Sequence, residues 1–410
     1  MASGVPARQW RWAGAGQDGI PAEPLRLHAG KVPIVLRPAG RKGGDHSQKL
    51  SHASTIELDA NGWRAQDALQ ARVQRPPFQE TDTMRFSLPR ALRRACGAAA
   101  ALAATAALAQ APAYPNAPIT LIVPFAAGSG TDAVARTVGQ KLAERLKQPV
   151  LVDNKPGANA QVGAQLAARA RPDGYTLFMT TNTSHSANPA LYASLKYDPI
   201  KDFTPVARVG ELPFALAVSP ALPVKTLAEF LDYARAHPGT LSYATPNSTS
   251  LVAMESIKHI AKVDILGVPY KSSPQALTDL LGGQVQAYVV DLGSGKTMLT
   301  GDKVRTLGIT TAQPSPLLPG VPPIGQTVKG FDLTSWNGIF GPAGMPPAVV
   351  QRLNTELQAV LADKDTQDKL AQIGFQVWPS KTPEEFAQYV AQQLAHWRSL
   401  IQQARIEPSP

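Results

Sequence analysis

Three polar stretches hold the residues whose types and spacing suit chemistry. They are Ala126-Ala127-Gly128-Ser129-Gly130-Thr131-Asp132, Thr180-Thr181-Asn182-Thr183-Ser184-His185-Ser186-Ala187-Asn188 and Thr245-Pro246-Asn247-Ser248-Thr249-Ser250. Each stands where a strand-forming run gives way to a helical pattern. The first turn of a helix leaves N–H groups unpaired and carries partial positive charge. Such ends take carboxylates and phosphates. Ser and Thr hydroxyls add donors without adding charge. Any one of these loops alone reads more readily as ordinary N-capping. Three together point to a cleft for a small anion, placed beyond the carboxyl ends of the strands.

Other chemistries are less well supported. The run Asp291-Leu292-Gly293-Ser294-Gly295-Lys296-Thr297 matches the second half of a phosphate-binding loop, but Val290 stands where the first Gly is needed. A nucleotide- or phosphate-binding enzyme built on residues 293–297 is therefore the rival reading, and a Gly-rich strand-to-helix turn the plainer one. No Gly-x-Ser-x-Gly elbow is present, and Ser184 and His185 are chain neighbours, which rarely face each other as nucleophile and base. After residue 109 the histidines are His185, His237, His259 and His396, scattered without a His-x-x-x-His pair. That spacing points away from a His-rich metal site. Neither a catalytic group nor a cofactor is expected.

The elements that must position these loops alternate. Ile119 to Val123 reads as a strand, and Val134, Val138, Leu142 and Leu146 mark a helix behind the first loop. Val150 to Val152 resumes as strand, giving a βαβ unit with parallel strands. Residues 162–170 read as helix, and strands are read at 175–179, 216–218, 241–244, 263–268, 285–290 and 304–309. Helices are read at 249–260 and 274–281. Thr226-Leu227-Ala228-Glu229 is a capping box, and Thr382-Pro383-Glu384-Glu385 joins one to a Pro at the first helical position. Pro347 opens another helix. This is α/β architecture, and about 300 residues call for two lobes.

The chain has 410 residues and a formal net charge of +10. Residues 1–109 carry +7 of that and residues 110–410 only +3, so the globular part is nearly balanced and no nucleic-acid partner is expected. Residues 84–111 read MRFSLPRALRRACGAAAALAATAALAQA: four arginines, an Ala/Leu-rich run, then Ala107-Leu108-Ala109. That is the layout of a secretory signal peptide, too short to span a bilayer. It is preceded by 83 residues rich in Gly, Pro, Arg and Gln without sustained periodicity. They read as an over-extended gene start, or else a disordered leader. The only cysteine, Cys96, lies within the signal segment, so cleavage after Ala109 leaves a cysteine-free chain suited to an oxidising periplasm.

The first loop, within PITLIVPFAAGSGTDAVARTVGQKL, resembles the opening of the Bug family, the extracytoplasmic solute receptors of tripartite tricarboxylate transporters. Four further segments agree in order and spacing: DNKPGANAQVGAQLAARARPDGYTL, SHSANPALYASLKYDPIKDFTPVARV, VPYKSSPQALTDLLGGQVQAYVVD and SWNGIFGPAGMPPAVVQRLN. The resemblance spans about 114–406. It implies a two-lobed fold like that of type II periplasmic binding proteins, with a ligand cleft between lobes. Lobe one takes 114–215 and 335–410, and lobe two takes 216–334. It also implies a monomeric, non-enzymatic receptor that captures a small organic carboxylate and delivers it to a large and a small membrane subunit. Some relatives serve signalling instead. By residue, the family's first ligand loop falls on Phe125, Ala127, Ser129, Gly130, Thr131 and Asp132. The second falls on Thr181, Thr183, Ser184 and His185, the lobe-two loop on Asn247, Ser248 and Thr249, and a frequent Asp after a strand on Asp291. Ser129 replaces a Gly usual in the first loop, and no Arg stands in the three loops to clamp a carboxylate. Asp132 also reads as a ligand for the first helical turn, His185 as a structural loop residue, and Trp336 and Phe340 as core.

If translation starts at Met84, mass spectrometry of whole cells will find no peptide from residues 1–83. One such peptide overturns that reading.

Overall fold

The computed structural model describes residues 114–410. The leader at 1–83 and the signal peptide at 84–109 lie outside the described residues. In chain order the elements begin with β1 (Ile119–Val123), α1 (Gly130–Leu146), β2 (Val150–Asn154), α2 (Gln161–Ala168) and β3 (Thr176–Thr181). A π-helical turn, Thr183–Ala187, runs into the short α3 (Asn188–Leu191), and β4 (Phe203–Glu211) follows. Next come β5 (Phe214–Val218), α4 (Leu227–Ala236), β6 (Ser242–Thr245), α5 (Ser248–Ala261), β7 (Leu266–Pro269), α6 (Ser273–Leu281), β8 (Ala287–Asp291), α7 (Leu292–Leu299) and β9 (Arg305–Ile309). The chain closes with α8 (Ile324–Thr327), β10 (Trp336–Pro342), α9 (Pro347–Ala362), α10 (Lys364–Gln372), β11 (Gln376–Val377) and α11 (Pro383–Gln403).

Two mixed sheets result, one per lobe. The first has the order β11-β4-β10-β3-β1-β2, the second β7-β6-β8-β5-β9. As βαβ connections require, β1 runs parallel to β2 and β3, and β6 parallel to β7 and β8. The strands that arrive from the other lobe are antiparallel: β10 against β3 and β4, and β5 against β8 and β9. The chain passes between sheets at Leu212-Pro213 and returns just before Trp336. These crossings lie side by side, with the Leu212 N–H donating to the Ser335 carbonyl at 3.0 Å.

Local chemistry explains the helix starts. Ser129, Thr226, Asn247, Ser272, Asp291, Asp363 and Thr382 each cap a helix through a side-chain oxygen that accepts a backbone N–H three residues on. Such a cap contributes about 1 kcal/mol. In both capping boxes the glutamate reaches one residue beyond the cap, Glu229 to the Lys225 N–H and Glu385 to the Lys381 N–H.

The structure departs from the sequence reading in places. The strand read at 263–268 starts only at Leu266, because Val263 and Ile265 turn into the core of the second lobe. The Gly293–Thr297 stretch is not a turn but the body of α7. Strands β4 and β10 carry no clear alternation, since they are buried on both faces. A Cβ at Gly338 of β10 would overlap the Phe386 ring, so glycine there admits α11 onto the sheet.

That contact belongs to an aromatic cluster of Phe178, Phe203, Trp336, Phe340 and Phe386. His185 lies within it, its ring 4.1 Å from that of Phe340 and 4.6 Å from that of Phe203. Farther along the same helix, Trp397 and Ile401 join the core of the second lobe instead. Phe386 is fully buried, so Phe386→Ala should cost about 3–5 kcal/mol, read as a lower urea midpoint at unchanged slope.

Candidate functional site

The carboxyl ends of β1 and β3 in one lobe and of β6, β7 and β8 in the other lead into the first turns of α1, the π-helical turn, α5, α6 and α7. Between them lies a narrow cavity of about 20 Å³. The first lobe lines it with Phe125, Ser129, Gly130, Thr131, Thr181 and Thr183, the second with Asn247, Thr249, Ser273 and Asp291. Leu212, Phe214 and Ser335 complete the wall from the two crossings. Phe125, Ser129, Asn247 and Ser273 also face a larger outer cleft, where Asn159, Tyr192, Tyr270 and Lys271 appear. Helix N-termini attract anions through free N–H groups and the macrodipole. Here several of them border one small space furnished with hydroxyls.

Of the residues singled out in the sequence, Phe125, Ser129, Gly130, Thr131, Thr181, Thr183, Asn247, Thr249 and Asp291 stand on the inner wall. Ala127, Asp132, Ser184, His185 and Ser248 do not. Ala127 is exposed on the loop surface. Asp132 turns away and holds the loop, accepting from the Gly128 N–H at 3.0 Å, Arg136 Nε at 3.0 Å and Asn154 Nδ2 at 2.9 Å. Its partner is thus the loop before α1, not the first helical turn. Burial opposes its charge, but Arg136, the Gly128 N–H and Asn154 more than offset this and hold the carboxyl below its usual range.

Ser184 and His185 lie behind the wall. Ser184 Oγ is 2.9 Å from His185 Nδ1 and 2.6 Å from Thr180 Oγ1. Burial drops the imidazole to about 3, so it is neutral, and its Nε2 has no partner. The pair braces the π-helical turn that carries Thr183 to the cavity. Ser248 joins a cross-lobe knot, donating to Asn188 Oδ1 at 3.0 Å and accepting from Asn159 Nδ2 at 2.5 Å. Asn159 lies in a strained stretch, with Ala158, Asn159 and Ala160 at φ of 44°, 51° and 71°. Successive non-glycine residues in the left-handed region are unfavourable, and this knot helps to hold them there.

Two further contacts tie the lobes together. Asn182 Nδ2 donates to Thr249 Oγ1 at 2.9 Å, and the Gly130 N–H donates to Ser294 Oγ at 3.0 Å. Ser294 in turn gives Asp291 its N–H at 2.7 Å and its hydroxyl at 2.9 Å. Burial pushes the Asp291 carboxyl above its usual range against the pull of the Ser294 hydrogen bonds. A Cβ on Gly293 would lie 2.5 Å from the Gly130 Cα, so these two glycines let backbone meet backbone. Lys296 donates to the Ala371 carbonyl at 2.7 Å. The glycines of 293–297 therefore serve packing, and its lysine is engaged away from the cavity. Sequence reading missed four wall residues. Ser273 carries the same signal as the loops it recognised, a Ser-Ser-Pro helix start after a strand. Leu212, Phe214 and Ser335 have no local signal, because the side-by-side crossings put them there. Among the described residues, no group of three or more His, Cys, Asp or Glu could hold a metal ion, and no helix is long and apolar enough to cross a membrane.

A family described as tripartite tricarboxylate transporter family receptor matches residues 134–406. Among solved structures, R. palustris Rpa4515 with adipate is 33% identical, with a TM-score of 0.70 over 72% of this chain and 100% of that one. The periplasmic binding protein BugD is 32% identical, with a TM-score of 0.69 over 72% of this chain and 100% of its own. MatC from Rhodopseudomonas palustris with bound malate is 32% identical, with a TM-score of 0.66 over 70% and 100%. The two-lobed architecture is that of periplasmic binding proteins.

The glycine contact makes a prediction of its own. Gly130→Ala places a Cβ against Asp291 and 2.8 Å from Leu212 Cδ2. It should cost about 1–3 kcal/mol through overpacking, whereas Gly282→Ala, at a φ of −75° and with no neighbour nearer than 3.5 Å, should not lose stability by that route. Equal losses in thermal unfolding would contradict the tight contact.

Proposed function

The chain belongs to the tripartite tricarboxylate transporter receptor family, and we propose that it captures a small organic carboxylate in the cavity between its lobes and delivers it to the large and small membrane subunits of such a transporter. The observation that carries this reading is the set of helix N-termini and hydroxyls around one narrow cavity and the larger outer cleft that it adjoins. The carboxylates named for the Rhodopseudomonas relatives, adipate and malate, support the ligand class.

The lobes are assigned as 114–212 with 335–410, and 213–334, the first boundary falling slightly before the 215 implied by the resemblance because β5 of the second sheet already begins at Phe214. They move about the paired crossings at Leu212 and Ser335. Contacts from both sides make the closed arrangement the one that holds ligand, as a population shift requires. The carboxylate is met by the backbone N–H groups of Thr131 and Thr249 and by the hydroxyls of Ser129, Thr183 and Ser273, with ordered water filling the remainder. Phe125 and Phe214 exclude bulk water, which strengthens these bonds. The site works in the periplasm, after removal of the signal segment, as a monomer.

Thermal unfolding against adipate, malate, aspartate and benzoate, with ATP as control, tests the reading. Ligand at about a hundred times its dissociation constant adds ~2.7 kcal/mol, equivalent to roughly 5–11 °C for a chain this size. A shift of that order with a carboxylate and none with ATP is expected. ATP alone producing the shift overturns the reading. Thr183→Val removes a hydroxyl from the wall and should weaken binding roughly tenfold, with little change in the unfolding midpoint of the free protein.

A further inference from the structure

The cavity read as a carboxylate site has an unexpected charge. Among the described residues that line it, one is ionisable, and it is an acid: Asp291. Its side chain sits at the end of β8 as the cap of α7 and is only 4% exposed. Apart from Lys271, which lines the outer cleft, charged groups on the surrounding elements are turned elsewhere. On α1, Arg136 and Asp132 pair with each other. On α7, Lys296 is bound to the Ala371 carbonyl. On α6, Asp279 accepts from Tyr270. On β9, Arg305 donates to the Leu222 carbonyl. Strand β5, paired beside β8, has no ionisable side chain. On β8 itself Tyr288 is fully buried, and burial keeps its phenol neutral. In the second loop His185 is buried and neutral. The one cation near it, Lys271, lines the outer cleft and not this inner wall, so two carboxylates on the inner wall lack a cation between them, and like charges so placed disfavour joint ionisation.

Resting on the carboxylate reading above, we propose that the site takes its ligand together with a proton held on Asp291. At neutral pH the proton comes from solvent as the carboxylate enters and returns to solvent as it leaves. The Asp291 carboxyl then presents an O–H to the ligand in place of a second negative charge. Ser294 is placed to follow this change: it gives its N–H to one carboxyl oxygen, and its hydroxyl lies between the other and the Gly130 N–H across the cleft. Proton uptake is thereby joined to the contact that holds the lobes together.

Asp291→Asn tests this, because asparagine caps a helix as well as aspartate does and imitates the protonated carboxyl. Calorimetric titration with adipate and malate from pH 7 to pH 9 is the first arm. Wild-type affinity should fall toward tenfold per pH unit, with heats that differ between buffers of different ionisation enthalpy. The Asn variant should bind at least as tightly as wild type and show neither dependence. A pH-independent wild type overturns the proposal. So does loss of binding in the variant, the result expected if an ionised Asp291 instead held a ligand ammonium, with aspartate as the probe for that case.

The second arm needs no ligand and separates this failure from failure of the carboxylate reading. A raised carboxyl in the folded state makes wild type bind more protons folded than unfolded, so its stability falls as pH rises past the ordinary carboxylate range. The Asn variant should be the more stable protein at pH 8, with the gap closing toward pH 4. A variant less stable than wild type at pH 8 overturns the proposal even if no probe binds.

Discussion

The cleft depends on two helices meeting head to head with nothing but glycine between them. The first turns of α1 and α7 touch where Gly130 faces Gly293. Both ends carry partial positive charge, so close approach alone is unfavourable. Asp291 and Ser294 sit at that junction and supply the acceptor atoms it needs. Any larger side chain at either glycine would hold the lobes apart and open the cavity. The same crowding of helix ends that strains the contact makes the cavity receptive to an anion.

The polar groups that do not reach the cavity are the support for those that do. Asp132 ties the first loop to α1 and β2, and Ser184 with His185 fixes the second loop against an aromatic cluster. The left-handed stretch at Ala158–Ala160 is held in part by the Asn159–Asn188–Ser248 knot. Strain and buried polarity of this kind persist where the surroundings over-determine them. A wall that combines helix N-termini with buried hydroxyls needs such support to hold its polar groups in place.

The α/β alternation and the helix starts were legible in the sequence because they are local. Thr226 with Glu229, Thr382 with Glu385 and the Asn247 cap need only neighbours along the chain. The Ser-Ser-Pro signal at residues 272–274 was equally legible but went unused. Strand β10 was not legible, because Gly338 answers to Phe386 far along the chain. Asp132 and His185 show the limit for single residues: the right loop was identified, but the direction of a side chain depends on partners such as Asn154 and Phe340 that spacing does not reveal. Leu212 and Ser335 reach the wall through a pairing of two distant crossings, a property of topology alone.

The last long helix spans both cores: Phe386 and Val390 pack on the first sheet, and Trp397 and Ile401 on the second. One face of each sheet is therefore sealed by the same helix, so completing these two faces couples the lobes through contacts distant in sequence.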